Sequence, residues 1–341
     1  MSTRQVQRDA WLHTILQGRR ARLSAASEDA SFRRYFRVHL DGDTRILMDA
    51  PPPQEDCRPF VQVTRLLAAA GLNVPAIVAA DLEQGFLLLS DLGERQYLQG
   101  LDEASADALY ADAIDALVRL QRHGDASTLP RYDRARLLAE MRLFTQWFLG
   151  RHLGIAPDAR SGAVLEQAFA TLVAACQAQP QVLVHRDYHS RNLMITASAR
   201  PGVLDYQDAV LGPVGYDLVS LLRDVYVRWP PARVAQWVER YHRQAVAAGV
   251  LDGTGPDAFR RWFDLCGVQR HLKVAGIFAR LYYRDGKNRY LTDIALTLRY
   301  LLEVVRTHPE LAPLGELLDT WQVTARHDAA VAALARADAV R

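Results

Sequence analysis

The sequence changes texture near residue 93, and that change limits the folds open to it. Before that point the chain is short and extended in character: SFRRYFRVHL over 31–40, the turn Asp41-Gly42-Asp43, then TRILMDA. Alternating aromatic and branched residues on either side of Asp-Gly predict a hairpin. Pro51-Pro52-Pro53 ends its second strand, because proline donates no ladder hydrogen bond. RPFVQVTRLLAAA at 58–70 carries apolar residues at helical spacing and stops before Gly71, and a further strand pair is expected around 76–80 and 85–89. After Gly93 come long amphipathic stretches that predict helices over 105–123, 133–149, 162–178, 231–248, 256–283, 289–307 and 314–338. One β-like island interrupts them at 182–209. The expectation is an α+β chain with a small antiparallel-sheet N-terminal lobe, 1–92, and a larger helical C-terminal lobe, 93–341.

Composition removes several function classes. Lys+Arg total 41 against 39 for Asp+Glu in 341 residues, so a net charge of +2 gives no basic surplus for a dedicated nucleic-acid binder. Only two of the basic residues are lysines, Lys273 and Lys287, and neither follows the Gly-Lys-Ser/Thr pattern of a P-loop nucleotidase. Cys57, Cys176 and Cys266 are widely separated and lack CxxC spacing, which argues against a disulfide framework or a structural zinc site and for a reducing compartment. The N-terminus has no secretory signal pattern, and no stretch approaches the ~20 apolar residues that span a bilayer. A cytoplasmic protein without membrane or nucleic-acid partners is expected.

The island carries the chemistry. His185-Arg186-Asp187-Tyr188-His189-Ser190-Arg191-Asn192 matches H-R-D-x-x-x-x-N, the catalytic loop of protein-kinase-like phosphotransferases. A second hydrophobic step, Val203-Leu204, leads into Asp205. Phosphoryl transfer needs a carboxylate beside the acceptor hydroxyl and oxygen ligands for magnesium; Asp187 suits the first task, Asn192 and Asp205 the second. Strands at 182–184, 193–195 and 202–204 would set all three on one rim. Two other readings use the same residues. Asp187 could merely cap a helix while His185 packs in the core, or His185, Asp187 and His189 could ligate one hydrolytic metal ion.

The chain continues LDYQDAVLGPVGYDLVSLLRD. With the catalytic loop, Asp205, Gly212-Pro213 and Tyr216-Asp217-Leu218, it resembles the aminoglycoside phosphotransferase and choline kinase group of small-molecule kinases. ASFRRYFRV at 30–38, ILMDAPP at 46–52, VHRDYHSRNLM, QDAVLGP and RHLKVAGIFARL at 270–281 are similar to the bacterial amino-sugar kinases of that group, over roughly residues 25–305. The resemblance implies a two-lobed protein-kinase-like fold. It also implies ATP as co-substrate, Mg2+, and γ-phosphoryl transfer to the anomeric hydroxyl of free N-acetylmuramate or N-acetylglucosamine, in cell-wall recycling toward a UDP-sugar. It implies that Asp217 buttresses the catalytic loop from a helix start, with His185 in support, and that Leu89, Asp91 and Leu92 form the hinge facing adenine.

Two departures stand out. Met48 occupies the third-strand position of the usual phosphate-gripping lysine, and SAASEDASFRRYFR contains no glycine. Ser31, Arg33 or Arg34 are the candidates to replace those phosphate contacts. For the sugar, His189, Gln207, Asp208 and Arg223 are the candidates, since hydroxyls and an acetamide suit imidazole, amide and charged groups. Arg270, His271, Lys273, Arg280 and Arg284 fall on one expected helix, with 270, 273, 280 and 284 near one face, and suit the lactyl carboxylate of N-acetylmuramate. The competing functions are another small-molecule kinase, acting on an aminoglycoside, choline-like amine or homoserine, and a catalytically silent nucleotide-binding regulator.

Overall fold

A computed structural model describes residues 2–28, 32–197 and 201–339. Five antiparallel strands form one sheet: β1 (Arg22–Glu28), β2 (Arg34–Leu40), β3 (Asp43–Asp49), β4 (Ile77–Asp81) and β5 (Phe86–Ser90), in the order β1-β2-β3-β5-β4. The expected hairpin is present, with Leu40 opposite Asp43 and Gly42 at φ 76°, a turn conformation that favours glycine. Strand alternation gives the sheet two apolar faces. Val38, Leu47 and Leu88 pack under Leu12 of α1 (Thr3–Ile15) and its C-cap residue Leu16, while Met48, Leu87 and Leu89 face a core shared with α2 (Arg58–Ala69) and the helical lobe.

The sequence reading contains no counterpart to α1. Leu12 is the one buried residue of this helix, so it shows little apolar stripe. Tertiary contacts hold it instead: Arg4 lies 2.6 Å from the Asp49 carboxylate and over the Phe86 ring, on which Trp11 also stacks.

The remaining helices are α3 (Tyr97–Gly100), α4 (Ala106–His123), α5 (Arg134–Leu143), α6 (Ala159–Gln177), α7 (Tyr216–Leu222), α8 (Pro231–Ala247), α9 (Pro256–Tyr283), α10 (Ile294–Val305), α11 (Ala312–Thr320) and α12 (Val323–Ala339). Three expected helices are broken. The 133–149 stretch passes at Phe144 into a π-helical turn, Phe144–His152. A short 3₁₀ turn, Asn288–Tyr290, precedes α10, and Gln322 at φ 50° separates α11 from α12. The π segment begins where α9 touches it: a Cβ on Gly276 would lie 2.3 Å from the Leu143 carbonyl carbon and 2.4 Å from the Phe144 nitrogen. The two backbones meet there with nothing between them.

Nearly every residue of α9 from Leu265 to Leu281 is buried, so the helix has no solvent face in that stretch. The shared polar face expected for 270, 273, 280 and 284 is therefore not one surface. Arg270, His271 and Lys273 are buried, Arg280 is half-buried, and Arg284 is exposed and paired with Asp285 at 2.7 Å. The island forms two small ribbons, β6 (Gln181–Val184) with β9 (Val210–Pro213) and β7 (Leu193–Met194) with β8 (Gly202–Val203). Among the described residues no helix is long and apolar enough to cross a membrane.

Candidate active site

The strand β6 delivers the chain to His185, and buried acceptors then fix the loop. Asp217, in the first turn of α7, accepts the amide hydrogens of His185 at 2.7 Å and Arg186 at 2.9 Å. Gly215 caps that helix, so Asp217 is not its N-cap; its carboxylate serves the loop. Burial pushes its pKa up to about 6, against the opposing pull of His185 and the two amides. The Nε2 of His185 lies 2.9 Å from the Leu204 carbonyl, and Nδ1 accepts the Asp187 amide at 3.2 Å. These partners assign a neutral imidazole protonated on Nε2, and burial lowers its pKa accordingly. With both nitrogens engaged, His185 has no lone pair for a metal, which removes the hydrolase arrangement with Asp187 and His189. Among the described residues no three His, Cys, Asp or Glu side chains gather as a metal cluster.

Asp187 lies half-buried between these anchors. Burial acts to raise its pKa, but Lys273, His189, Arg186 and Arg270 outweigh it and hold the carboxyl at about 2, ionised at neutral pH. The Asn192 amide nitrogen donates to the Asp187 carbonyl at 3.0 Å and to the Asp205 carboxylate at 3.3 Å, so the amide oxygen remains as an acceptor. Asp205 takes φ 61°, an uncommon conformation for a non-glycine residue, and its other carboxylate oxygen accepts Gln207 Nε2 at 2.9 Å. One carboxylate and one amide oxygen fit Mg2+, which takes few protein ligands and completes its shell with water and phosphate.

On the nucleotide side the candidates diverge. Ser31 lies outside the described residues. Arg33 pairs with Glu55 at 3.2 Å, just ahead of α2, whereas Arg34 is exposed at the start of β2. Met48 is fully buried, opposite Tyr35 and Leu87 in the sheet, so β3 presents no cation there. Leu89 is buried and laddered to both neighbouring strands. The Asp91 carboxylate accepts Arg37 at 2.6 Å and the Gly93 amide at 2.9 Å. Burial acts upward on Asp91, and those partners carry its pKa below the usual value. The Asp91 side chain thus braces the hinge. The backbone N–H and C=O of Leu92 have no partner among the described residues, and its side chain rests against Gly202.

The sugar candidates also separate. The His189 ring sits edge-on to Tyr226, 5.4 Å between centroids, with a buried Nδ1 that has no partner. Gln207 braces Asp205, leaving its buried Oε1 unpaired. Asp208 is exposed and meets the loop only through its carbonyl, 3.4 Å from Arg186 Nη1. Arg223 is not brought to Asp187: it pairs with Asp264 at 2.5 Å and lines a separate cavity of about 490 Å³ with Arg228, Trp229, Phe263 and Tyr300. Its side chain leaves α7 at the C-cap, toward α9 rather than the loop.

Three contributors escaped the sequence reading. Asp224 accepts the Ser190 amide at 2.9 Å and also the Ser190 hydroxyl. Glu140 of α5 gathers Arg186, the Tyr132 hydroxyl and, at 3.6 Å, Lys273. Tyr206, beside Asp205, donates or accepts at 2.9 Å with Thr64 of α2 and stacks on Phe60, tying the sheet lobe to the segment that carries Asp205. Asp224 carried a signal, an acid seven residues after Asp217; Glu140 carried none.

Fold and loop together define a two-lobed, kinase-like phosphotransferase. A model of the phosphotransferase enzyme family matches residues 22–259, and the chain belongs to that family. It is 52% identical over 304 residues to the N-acetylmuramate/N-acetylglucosamine kinase of Pseudomonas putida, covering 89% of each chain. The protein of the same name from Neisseria meningitidis is 45% identical over 320 residues, covering 92% of this chain and 95% of that one. The crystal structure of ADP-bound aminoglycoside phosphotransferase APH(2'')-Ib superposes with a TM-score of 0.57 at 16% identity, covering 87% of this chain and 98% of that chain. That likeness concerns the fold alone.

Proposed function

We propose that this enzyme transfers the γ-phosphoryl group of ATP, with Mg2+, to the anomeric hydroxyl of N-acetylmuramate and N-acetylglucosamine. The observation that carries the reading is 52% identity over 89% of the chain to a kinase named for both sugars. The site chemistry supports it. Asp187, held ionised by the surrounding cations, accepts a hydrogen bond from the acceptor hydroxyl, orients it, and receives its proton as the new P–O bond forms. Asn192 and Asp205 would hold Mg2+, which would supply charge neutralisation at the phosphate oxygens. His185, Asp217 and Asp224 touch no reactant in this scheme; they position the loop.

The unpartnered backbone of Leu92 supports a hinge role toward adenine, with Leu89 as apolar floor and Asp91 as brace. Arg33, already paired with an acid ahead of α2, is the candidate we favour to stand in for the missing third-strand lysine, with Ser31 and Arg34 as the other candidates. His189 and Gln207 are the sugar contacts this reading retains. The lobe boundary falls at 92/93, supported by the last strand ending at Ser90 and the next helix beginning at Tyr97. A cytoplasmic location agrees with three buried free thiols.

The test is incubation of the purified protein with Mg-ATP and each acceptor, followed by phosphorus NMR, with Asp187→Asn as control. An anomeric sugar phosphate, absent in the control, is expected. Phosphate found only on an aminoglycoside or amino alcohol would overturn the substrate, and ATP binding without transfer to any acceptor would favour the silent regulator.

A further inference from the structure

The helix α9 brings two buried cations, Arg270 and Lys273, beside Asp187, and they are in different situations. Arg270 is 2% exposed and Lys273 5%. The Lys273 ammonium lies 3.1 Å from the Tyr216 hydroxyl and 3.6 Å from Glu140, so its charge is answered within the protein. The Arg270 guanidinium, by contrast, has no carboxylate within 4 Å and makes no hydrogen bond to any described residue, and its Nη1 is fully buried without a partner. A guanidinium stays charged under all ordinary conditions, and burying that charge with no carboxylate in direct contact costs several kcal/mol on the order-of-magnitude scale for buried ions. Such an arrangement favours an anion supplied from outside the fold.

The position of Arg270 narrows what that anion is. Arg270 lies one turn before Lys273 on α9; the Lys273 ammonium meets Glu140, the partner of Arg186 next to Asp187, and the Arg270 charge acts on Asp187 and His189. His189 adds a second buried and unpartnered polar atom, Nδ1, beside the wall formed by Tyr226. A fork of parallel N–H donors matches a planar carboxylate in both shape and charge. Of the two sugars in the proposed reaction, only N-acetylmuramate carries an anion, the carboxylate of its 3-O-lactyl group. With the C1 hydroxyl at Asp187, that group projects across the ring from the reacting atom. Arg186 and Lys273 are engaged by Glu140 and Arg191 lies over the Tyr226 ring at 3.6 Å, which leaves Arg270 to meet it.

We propose that Arg270 receives the lactyl carboxylate of N-acetylmuramate and so sets the enzyme's preference between the muramate and the glucosamine sugar. The inference rests on the amino-sugar kinase reading above. It makes Arg270 a specificity residue, and its share in keeping Asp187 ionised acts on both sugars alike and cancels in their ratio.

The test crosses enzyme and substrate. Steady-state kcat/KM is measured for wild type, Arg270→Gln and Arg270→Lys on N-acetylglucosamine, N-acetylmuramate and the methyl ester of the muramate carboxylate. A hydrogen-bonded charge pair is worth about 10- to 100-fold. The muramate-to-glucosamine ratio should therefore fall by about that factor in Arg270→Gln, through KM, with a smaller fall in Arg270→Lys, which keeps the charge and loses the fork. The ester should lose the same factor on wild type, and little further in the Gln variant. That substrate arm needs no mutant, so it decides the matter even if Arg270→Gln fails to fold. Acid and ester reacting equally well on wild type, or an equal loss on both sugars in the variants, would overturn the inference while leaving the kinase reading in place. A wild-type enzyme inactive on both sugars would instead overturn that reading.

Discussion

Asp217 and Asp224, seven residues apart, hold two points of the same loop: Asp217 takes the amides of His185 and Arg186, and Asp224 takes the amide and hydroxyl of Ser190. Asp187 hangs between the two grips. Both carboxylates are fully buried, so the loop is positioned by α7 and the residues that follow it rather than by its own turns. A short helix and the residues after it thereby fix the Asp187 carboxylate relative to Asn192 and Asp205.

Asp224→Ala removes the acceptor for a buried N–H and a buried O–H at once. Each such loss costs about 1–3 kcal/mol, and the loop relaxes at its Ser190 end. The expected outcome is a fall in kcat of about tenfold or more with a smaller change in KM. Parallel measurement of Ser190→Ala and the double variant checks the origin: the Asp224 change should cost less once Ser190 has no hydroxyl. Fully additive effects would mean that Asp224 acts elsewhere.

Asp187→Asn should lower turnover by at least ~10² while leaving nucleotide affinity close to that of wild type. Asp205→Ala should instead weaken Mg-nucleotide binding, read directly by calorimetry, because the lost group is a metal ligand in the proposed scheme. Near-wild-type turnover in the Asn variant would remove Asp187 from the chemistry.

The sequence made the hairpin, α2, α9 and the His185–Asn192 loop legible because each depends on local pattern: alternation about Asp41-Gly42, helical spacing, and fixed residues at fixed intervals. What stayed hidden depends on partners distant in the chain. α1 is held by Arg4 on Asp49 and by Trp11 on Phe86, contacts no periodicity announces. Glu140 serves Arg186 and Lys273 from positions 46 residues and more than a hundred residues away. Arg223 misled for the complementary reason. It lies next to Asp224, which does hold the loop, yet its side chain leaves the helix end toward Asp264.

Gly276→Ala tests the contact between α9 and the start of the π-helical segment. The added methyl would stand 2.3–2.4 Å from the backbone of Leu143 and Phe144, and backbone cannot swing aside as a flexible side chain can. Overpacking of this kind costs about 1–3 kcal/mol or more. Thermal or urea unfolding should show the loss, whereas Gly162→Ala, with open space around its Cβ, should be neutral or mildly stabilising. Equal stability of the two variants would mean that the helices separate easily at Gly276.

The pH dependence of stability follows from histidines buried away from the loop. His152 bonds the Tyr283 hydroxyl at 3.0 Å and His327 at 2.9 Å, and burial, aided by His327, lowers its pKa to about 4. Burial, with Arg270 adding to it, lowers His271 to about 3, and burial also lowers His327. In the unfolded chain all three titrate near 6.5. Between pH 6.5 and about 4 the unfolded chain therefore binds protons that the folded one refuses. The stability these residues contribute is complete above 6.5 and is lost as the pH falls through that window. Asp217 works in the opposite sense: with its pKa raised to about 6, it takes up a proton in the fold before it would in the unfolded chain, and so favours the fold as the pH drops. Near pH 5 His152 and His271 each take up close to one proton on unfolding, about 1.4 kcal/mol per proton per pH unit, the lowered His327, His185 and His189 act in the same sense, and Asp217 offsets about one proton. Urea unfolding at pH 7.5, 6.0 and 5.0 measures that slope. A profile that is flat, or that rises toward acid, would show that these imidazoles are not held neutral in the fold.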